Sequence, residues 1–389
     1  MKQQIENKIT YLMQIPPPSH GAAVINKKIF DSTIINAGLQ KSLIPINFVN
    51  DLKQIGKISP TKFTKLISLS IKLITTFIKF KPTYIYFTCN CTGVAFFRDW
   101  CLIFLIKIFK KKLILHFHGK GIAEKSKSIF YRVLYQLAFN NTSLIFISKQ
   151  VMQNECDNLS LKNTNLYYVE NGIDSINMLP THKNNTVVNL LFLSTLMPSK
   201  GLYILIDSIA KIKTKTHFFH LNIVGGTMDN NEIKKICSRI DKLQLNQYIT
   251  LRGAAYGEKK YPYFSEADIF IHPTLNDNFP LVLLEAMQFS LPIISTIEGG
   301  IPDIVVDNIT GFLVAKNNVA DLTEKLILLI ENPALREKLG KAGQQRFQQK
   351  FKTEHFEKNL RQVLQTIIAT NKGLETSTRN KENDQALPL

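Results

Sequence analysis

Residues 267–314 read ADIFIHPTLNDNFPLVLLEAMQFSLPIISTIEGGIPDIVVDNITGFLV, and this stretch decides the fold. An apolar run at 269–271 enters a polar turn, an apolar helical stretch follows at 281–289, and a second run at 293–295 leaves into Gly299-Gly300. Two short β-branched runs separated by a helix are the mark of a parallel βαβ unit. Pro280 suits the first helical position, where its missing amide is not needed. The turn then aims free backbone amides and the positive end of a helix above the sheet, an arrangement that suits a phosphate. The helix is apolar on every side apart from Glu285 and Gln288, so it is buried. A buried carboxylate is costly unless something hydrogen-bonds it. The paired hydroxyls of a sugar would serve Glu285; a neighbouring arginine or backbone amide is the alternative.

The same alternation runs outward in both directions. Strands are predicted at 9–15, 83–87, 112–117, 143–147 and 166–169, and again at 188–193, 218–224, 248–251, 269–271, 293–295 and 311–314. The fold class is therefore α/β, with two doubly wound parallel sheets of Rossmann-like type and a ligand cleft between them. A chain of 389 residues fits two such domains. The aperiodic polar stretch LPTHKNNT at 179–186 is the natural linker, which gives domains at 1–180 and 187–350. Residues 351–370 are expected to form a C-terminal helix returning to the first domain, and 371–389 a polar tail without regular structure.

The formal charge of +18 is uneven: residues 1–186 carry 24 Lys+Arg against 9 Asp+Glu, the remainder 24 against 21. A basic first half points to an anionic partner. TKFTKLISLSIKLITTFIKFK at 61–81 sets lysines among aliphatic and aromatic residues with no acid, the pattern of a helix lying on an anionic membrane surface; a core helix with solvated lysines is the other reading. No nucleic-acid partner is expected, for no helix-turn-helix, zinc-finger or RNA-recognition signature occurs. The apolar run at 101–109 is interrupted by Lys107 and falls far short of the ~20 residues needed to span a bilayer. The N-terminus lacks the pattern of a signal peptide, and five cysteines, an odd number, fit reduced thiols, so a cytoplasmic protein starting near Met1 is expected, with peripheral contact to the inner face of the cell membrane. Cys89 and Cys91 are read as small strand residues, and no metal set completes them.

At this point a family resemblance becomes specific. Asp277 and Glu285, with the apolar helix and the Gly299-Gly300-Ile301-Pro302-Asp303 turn after it, resemble the C-terminal signature of the GT-B glycosyltransferases of family 4, whose Glu-x7-Glu pair they match. The resemblance implies that Glu285 binds the ribose hydroxyls of a nucleotide, that Asp277 contacts the donor sugar, and that the backbone around Asn278, Phe279, Pro280 and Leu281 lies at the diphosphate. Asp277 is one methylene shorter than the family glutamate, and Asn278-Phe279-Pro280 replaces the commoner Gly-Phe-Gly. Ser199-Lys200-Gly201 resembles the family turn whose lysine neutralises the diphosphate; Thr195 stands where the family has an arginine. Val224-Gly225-Gly226 resembles the turn after the next strand, Leu251-Arg252-Gly253 the strand end that frames the base, and Glu170-Asn171-Gly172-Ile173-Asp174 the turn at the domain junction.

In the first half, Pro16-Pro17-Pro18-Ser19-His20-Gly21 takes the place of a Gly-rich loop, with Gly21 allowing close approach of the backbone. His118 fits the histidine that faces the reacting sugar; His116, on the same strand face, is its rival. The resemblance implies a retaining, metal-independent hexosyltransferase without cofactor, with Lys200, Asp277 and His118 nearest the chemistry. A nucleotide-sugar would be the donor and a glycan or lipid-linked acceptor the recipient, as in bacterial capsule or lipopolysaccharide synthesis. A nucleotide-sugar epimerase of the same fold, or an inactive sugar-nucleotide-binding subunit, are the alternatives.

Overall fold

The computed structural model describes residues 7–17, 21–46, 60–176, 186–227 and 229–384. Twelve strands form two six-stranded sheets whose pairings are all parallel. The first contains β1 (Asn7–Met13), β2 (Leu39–Pro45), β3 (Tyr84–Cys89), β4 (Lys112–Phe117), β5 (Ser143–Phe146) and β6 (Asn165–Tyr168), in the order β2-β1-β3-β4-β5-β6. The second contains β7 (Val188–Leu193), β8 (Phe219–Val224), β9 (Ile249–Gly253), β10 (Ile269–His272), β11 (Ile293–Thr296) and β12 (Gly311–Val314), in the order β12-β11-β10-β7-β8-β9. Both are doubly wound, as the strand alternation predicts.

Strands buried on both faces need apolar residues at odd and even positions alike, which is why they read as unbroken runs. In β4, Leu113, Leu115 and Phe117 enter one core cluster while Ile114 enters another on the opposite face. In β7, Leu190 and Phe192 face one cluster and Leu191 the other. The strand order reverses between β1 and β3 in the first sheet and between β7 and β10 in the second. Carboxyl ends of strands at such reversals leave a crevice between diverging loops. The loops after β1, β7 and β10 carry Gly21, Lys200 and Asp277.

The chain crosses back near its end. Ile173 donates its amide to the Phe351 carbonyl at 2.9 Å, and Thr353 donates to the Ile173 carbonyl at 3.0 Å. The helix Thr353–Asp384 then lays Phe356, Leu360, Leu364 and Ile367 into the cluster built by Ile9, Tyr11 and Met13 of β1. Arg361 donates to the Ile34 carbonyl at 2.6 Å.

Beyond shifts of one or two residues at strand ends, three features differ from the sequence reading. β2, LQKSLIP, is an edge strand with Gln40 and Lys41 exposed, so it lacks the apolar run used to find strands. Pro280 is the N-cap of the helix Leu281–Gln288, in extended backbone, rather than its first residue. Helix continues to Asp384, past the point where regular structure was expected to stop, because a helix whose first turns are anchored propagates at little cost per residue. Within the expected linker, residues 179–185 lie outside the described residues.

Candidate active site

After β7 the chain makes a short turn, Pro198–Lys200, that ends at Gly201 with φ +77. A β-carbon at Gly201 would overlap the Pro273 carbonyl oxygen, so only glycine lets this turn lean on the segment leaving β10. The two segments interlock, with the Ser199 carbonyl accepting from the amides of Leu275 at 2.8 Å and Asn276 at 3.2 Å.

Lys200 thereby reaches Asp277: Nζ stands 2.7 Å from Oδ2, and His272 Nε2 stands 3.1 Å from the same oxygen. Burial raises the Asp277 pKa, but the His272 hydrogen bond and the Lys200 charge outweigh it and bring it down to about 2. His272 is 1% exposed and its Nδ1 has no hydrogen-bond partner, so this ring is fixed in apolar surroundings by its bond to Asp277.

Asn278 is buried and faces both halves of the molecule. Its Nδ2 donates to the His118 carbonyl at 2.8 Å, its own carbonyl accepts from the Gly300 amide at 2.6 Å, and its Oδ1 has no partner. Gly299, at φ +53, lies where a β-carbon would stand 2.5 Å from the Asp277 carbonyl oxygen, so the Gly-Gly turn folds directly over the loop.

Phe279 and Pro280 are buried, and the helix Leu281–Gln288 starts with no side chain capping it. The Leu283 amide donates to the Pro280 carbonyl at 3.1 Å, and the amides before it carry the positive end of the helix. Gly21, the first residue of the helix Gly21–Asp31, approaches from the other half: a β-carbon there would stand 3.7 Å from Leu281 Cδ1. One turn further along, Glu285 Oε1 lies 2.5 Å from Lys260 Nζ, both side chains largely buried at 14% and 19% exposure. Burial pushes the Glu285 carboxyl above its usual range, and Lys260 partly offsets that. Lys260 ends the turn Gly257–Lys260 beyond β9. Sequence reading missed it; its only signal was a Lys-Lys pair placed after a strand's carboxyl end.

His118 is half-buried at the end of β4, its Nε2 3.0 Å from Asn26 Oδ1. His116 is fully buried, with Nδ1 2.6 Å from the Tyr86 hydroxyl, and burial and His118 hold it well below the ordinary histidine pKa. Geometry therefore sets His116 in the core and His118 at the cleft edge. A second bridge between the halves is an ion pair of Lys120 with the buried Glu298, which Lys316 joins at 2.5 Å.

Lys200, Asp277, Asn278, His118, Leu281 and Gly21 thus converge on one cleft, with Glu285 just behind. Thr195 is exposed after β7, and the next residue's amide bonds the Gly226 carbonyl at 2.8 Å, which keeps Thr195 beside Gly225. Arg252 stands further out: its Nε donates to Asn222 Oδ1 at 2.8 Å. Residues 18–20 of the proline-rich loop lie outside the described residues. Among the described residues no group of three or more His, Cys, Asp or Glu could hold a metal ion.

Comparison with known proteins gives this geometry a family. A glycosyltransferase of Methanocaldococcus jannaschii is 30% identical over 264 residues, 67% of this chain and 71% of that one. The family model of the glycosyl transferases group 1 matches residues 179–346. This chain is a group 1 glycosyltransferase. The capsular polysaccharide biosynthesis glycosyltransferase CapM of Staphylococcus aureus is 27% identical over 182 residues, 47% of each chain. In fold, the glycosyltransferase superposes on sucrose-phosphate synthase from Thermosynechococcus elongatus with a TM-score of 0.74 at 17% identity, covering 94% of this chain and all of that one. HepE of Anabaena, solved in complex with UDP, gives 0.69 at 19% identity over 92% of this chain and all of HepE. The enzyme has the GT-B architecture of two Rossmann-like domains, and among its described residues no helix is long and apolar enough to cross a membrane.

Proposed function

We propose that this glycosyltransferase moves a sugar from a nucleotide-sugar donor to a glycan or lipid-linked acceptor, with retention at the anomeric carbon, in the synthesis of a bacterial surface polysaccharide. The observation that carries the reading is the uncapped start of the helix Leu281–Gln288, flanked by Lys200 and Asp277 on one side and by the buried Glu285 on the other. Positive helix end, cation and buried carboxylate are what a diphosphate and the ribose beside it require. HepE, of the same fold, has been solved with UDP-glucose, and CapM and the amylovoran glycosyltransferase AmsK of Erwinia amylovora act in polysaccharide biosynthesis by name.

The donor diphosphate would meet the amides at Leu281, and Lys200 would turn from Asp277 to the β-phosphate. Glu285 would exchange Lys260 for the ribose hydroxyls. As the anomeric carbon–oxygen bond breaks, its electron pair stays on the β-phosphate oxygen, where Lys200 and the helix amides stabilise the growing charge without a metal ion. The acceptor hydroxyl attacks on the face the phosphate is leaving and gives its proton to that phosphate oxygen. Asp277, freed of Lys200, accepts from donor hydroxyls, and His118 faces the sugar from the other domain. Closure of the two halves keeps water from the donor.

Thermal stabilisation by a panel of nucleotide sugars, followed by transfer with the stabilising donor, tests the reading. A rise in Tm with one nucleotide class and an α-linked product from an α-linked donor are expected. An epimerised donor in the absence of acceptor, or no stabilisation by any nucleotide, overturns it.

A further inference from the structure

Three helices, Pro60–Lys79, Gly93–Ile108 and Ile129–Phe139, cover one face of the first sheet. Their inward residues, Leu73, Ile103 and Tyr135 among them, pack on Ile85, Leu113 and Leu115 of the strands. Neighbours are locked together: Phe77 meets Phe109 at 5.1 Å between ring centres, and Trp100 Nε1 donates to the Leu134 carbonyl at 3.1 Å.

A helix that covers a core turns polar residues to water. These three do not. They hold twelve of the twenty-three exposed large hydrophobic side chains among the described residues. Phe63, Ile67 and Ile71 recur every four residues along the first helix, and Phe104 and Ile108 do so on the second. Phe63 is 65% exposed, Phe104 54% and Phe130, on the third helix, 58%. The stripes are therefore side by side and face outward.

Charge around them is mostly positive, with Glu124 an exposed acid beside Lys125. The only acid on the three helices is Asp99, which is fully buried and paired with Arg98 at 2.5 Å. Lys72, Lys79, Lys110, Lys125 and Lys127 are exposed along and beside the apolar stripes. Apolar rows edged by cations complement an anionic bilayer, with rings entering the headgroup boundary and ammonium groups meeting lipid phosphates. Two such faces would repel each other, which disfavours a second copy of the chain as occupant.

The position of the face matters too. Gly93–Ile108 and Ile129–Phe139 begin beyond the carboxyl ends of β3 and β4, the end at which His118 meets the cleft. We infer that this three-helix face is a peripheral docking surface for an anionic lipid bilayer, and that docking sets the acceptor side of the cleft beside the membrane. The inference goes beyond the proposed reaction, because it holds whatever sugar is moved.

Co-sedimentation of the full chain with vesicles tests it, using equimolar phosphatidylglycerol and phosphatidylcholine against phosphatidylcholine alone, at 0.1 and 0.5 M salt. Binding at least tenfold stronger to the anionic vesicles, and weakened by salt, is expected. Lys72→Gln with Lys79→Gln should weaken it by about 25-fold, at about fivefold per lysine. Phe104→Ser with Phe130→Ser should weaken it more than tenfold while nucleotide-induced stabilisation, which reads the other domain, stays unchanged. Equal binding to both vesicles overturns the inference, as does binding untouched in both variants, or a wild-type dimer that the serine variant converts to monomer. If no nucleotide stabilises the protein yet the lipid results hold, the functional reading fails and the docking surface stands.

Discussion

The side-chain amide of Asn278 donates to the main-chain carbonyl of His118 across 2.8 Å, so one hydrogen bond joins the loop after β10 to the end of β4. Asn278 stands where the family resemblance would make glycine commoner, and a glycine there would leave the two halves without this tie. The bond brings donor-side and acceptor-side groups into one register. We expect Asn278→Gly to lower kcat by about tenfold, the worth of one buried hydrogen bond. Nucleotide affinity should change less than threefold, because the groups placed at the nucleotide all lie in the C-terminal half. Calorimetry of nucleotide binding beside turnover checks this split, and equal losses in both would show that the loop itself had collapsed.

Lys200→Ala should reduce turnover by roughly 10²–10³, as loss of a group that stabilises developing charge does, and raise the donor KM. Its effect on stability depends on pH in a definite sense. The Asp277 carboxyl sits at about 2 in the folded chain against 3.8 ordinarily. A depressed carboxyl contributes stability above its unfolded pKa, about 2 kcal/mol here, and loses it as pH falls from about 4 to 2. Without Lys200 the depression is smaller, so the Tm gap between wild type and variant should narrow on acidification through that window. A gap independent of pH would remove Lys200 from the electrostatics of Asp277.

Much of this was legible in the sequence because both sheets are buried on both faces. Strands such as 188–193, 112–117 and 311–314 announce themselves as apolar runs between turn residues, and their ends match the structure. β2 escaped because an edge strand half open to water keeps Gln40, Lys41 and Ser42. Site residues on one continuous segment, Asp277 to Glu285, could be read together. Partners brought in by folding could not: Lys260 is 25 residues from Glu285, and nothing in the spacing pairs them. His116 and His118 could not be separated by strand periodicity, since both point to one face; depth along the strand decides, with Tyr86 closing over the first.

Glu285→Gln should cut kcat/KM for the donor by about a hundredfold, since two charge-assisted hydrogen bonds are weakened. Lys260→Met gives a sharper test. Burial already raises the Glu285 carboxyl and Lys260 restrains the rise. Removing the lysine frees the pKa to climb, so the carboxylate that accepts ribose hydroxyls becomes protonated at a higher pH. Nucleotide affinity of Lys260→Met should therefore fall more steeply than that of wild type between pH 8 and pH 5. Parallel profiles would mean that Lys260 does not control Glu285.

The C-terminal helix belongs to the core of the first domain rather than to the second, and truncation distinguishes its parts. Phe356, Leu360 and Ile367 are fully buried and Leu364 is 1% exposed, all against β1 and its neighbours. Loss of one such side chain costs about 2–5 kcal/mol, and four together, about 8–20 kcal/mol, are as large as the ~5–15 kcal/mol that holds a whole domain folded. A chain ending at Lys352 should therefore be insoluble or lack a cooperative melt. Ile368 is the last described side chain packed on that cluster, so a chain ending at Asn371 should keep its Tm within a few degrees and its full turnover. Soluble, cooperative folding of the shorter chain would show that β1 to β6 close their core without the helix. The backbone bond from Ile173 to Phe351 would then be the feature that brings the chain back.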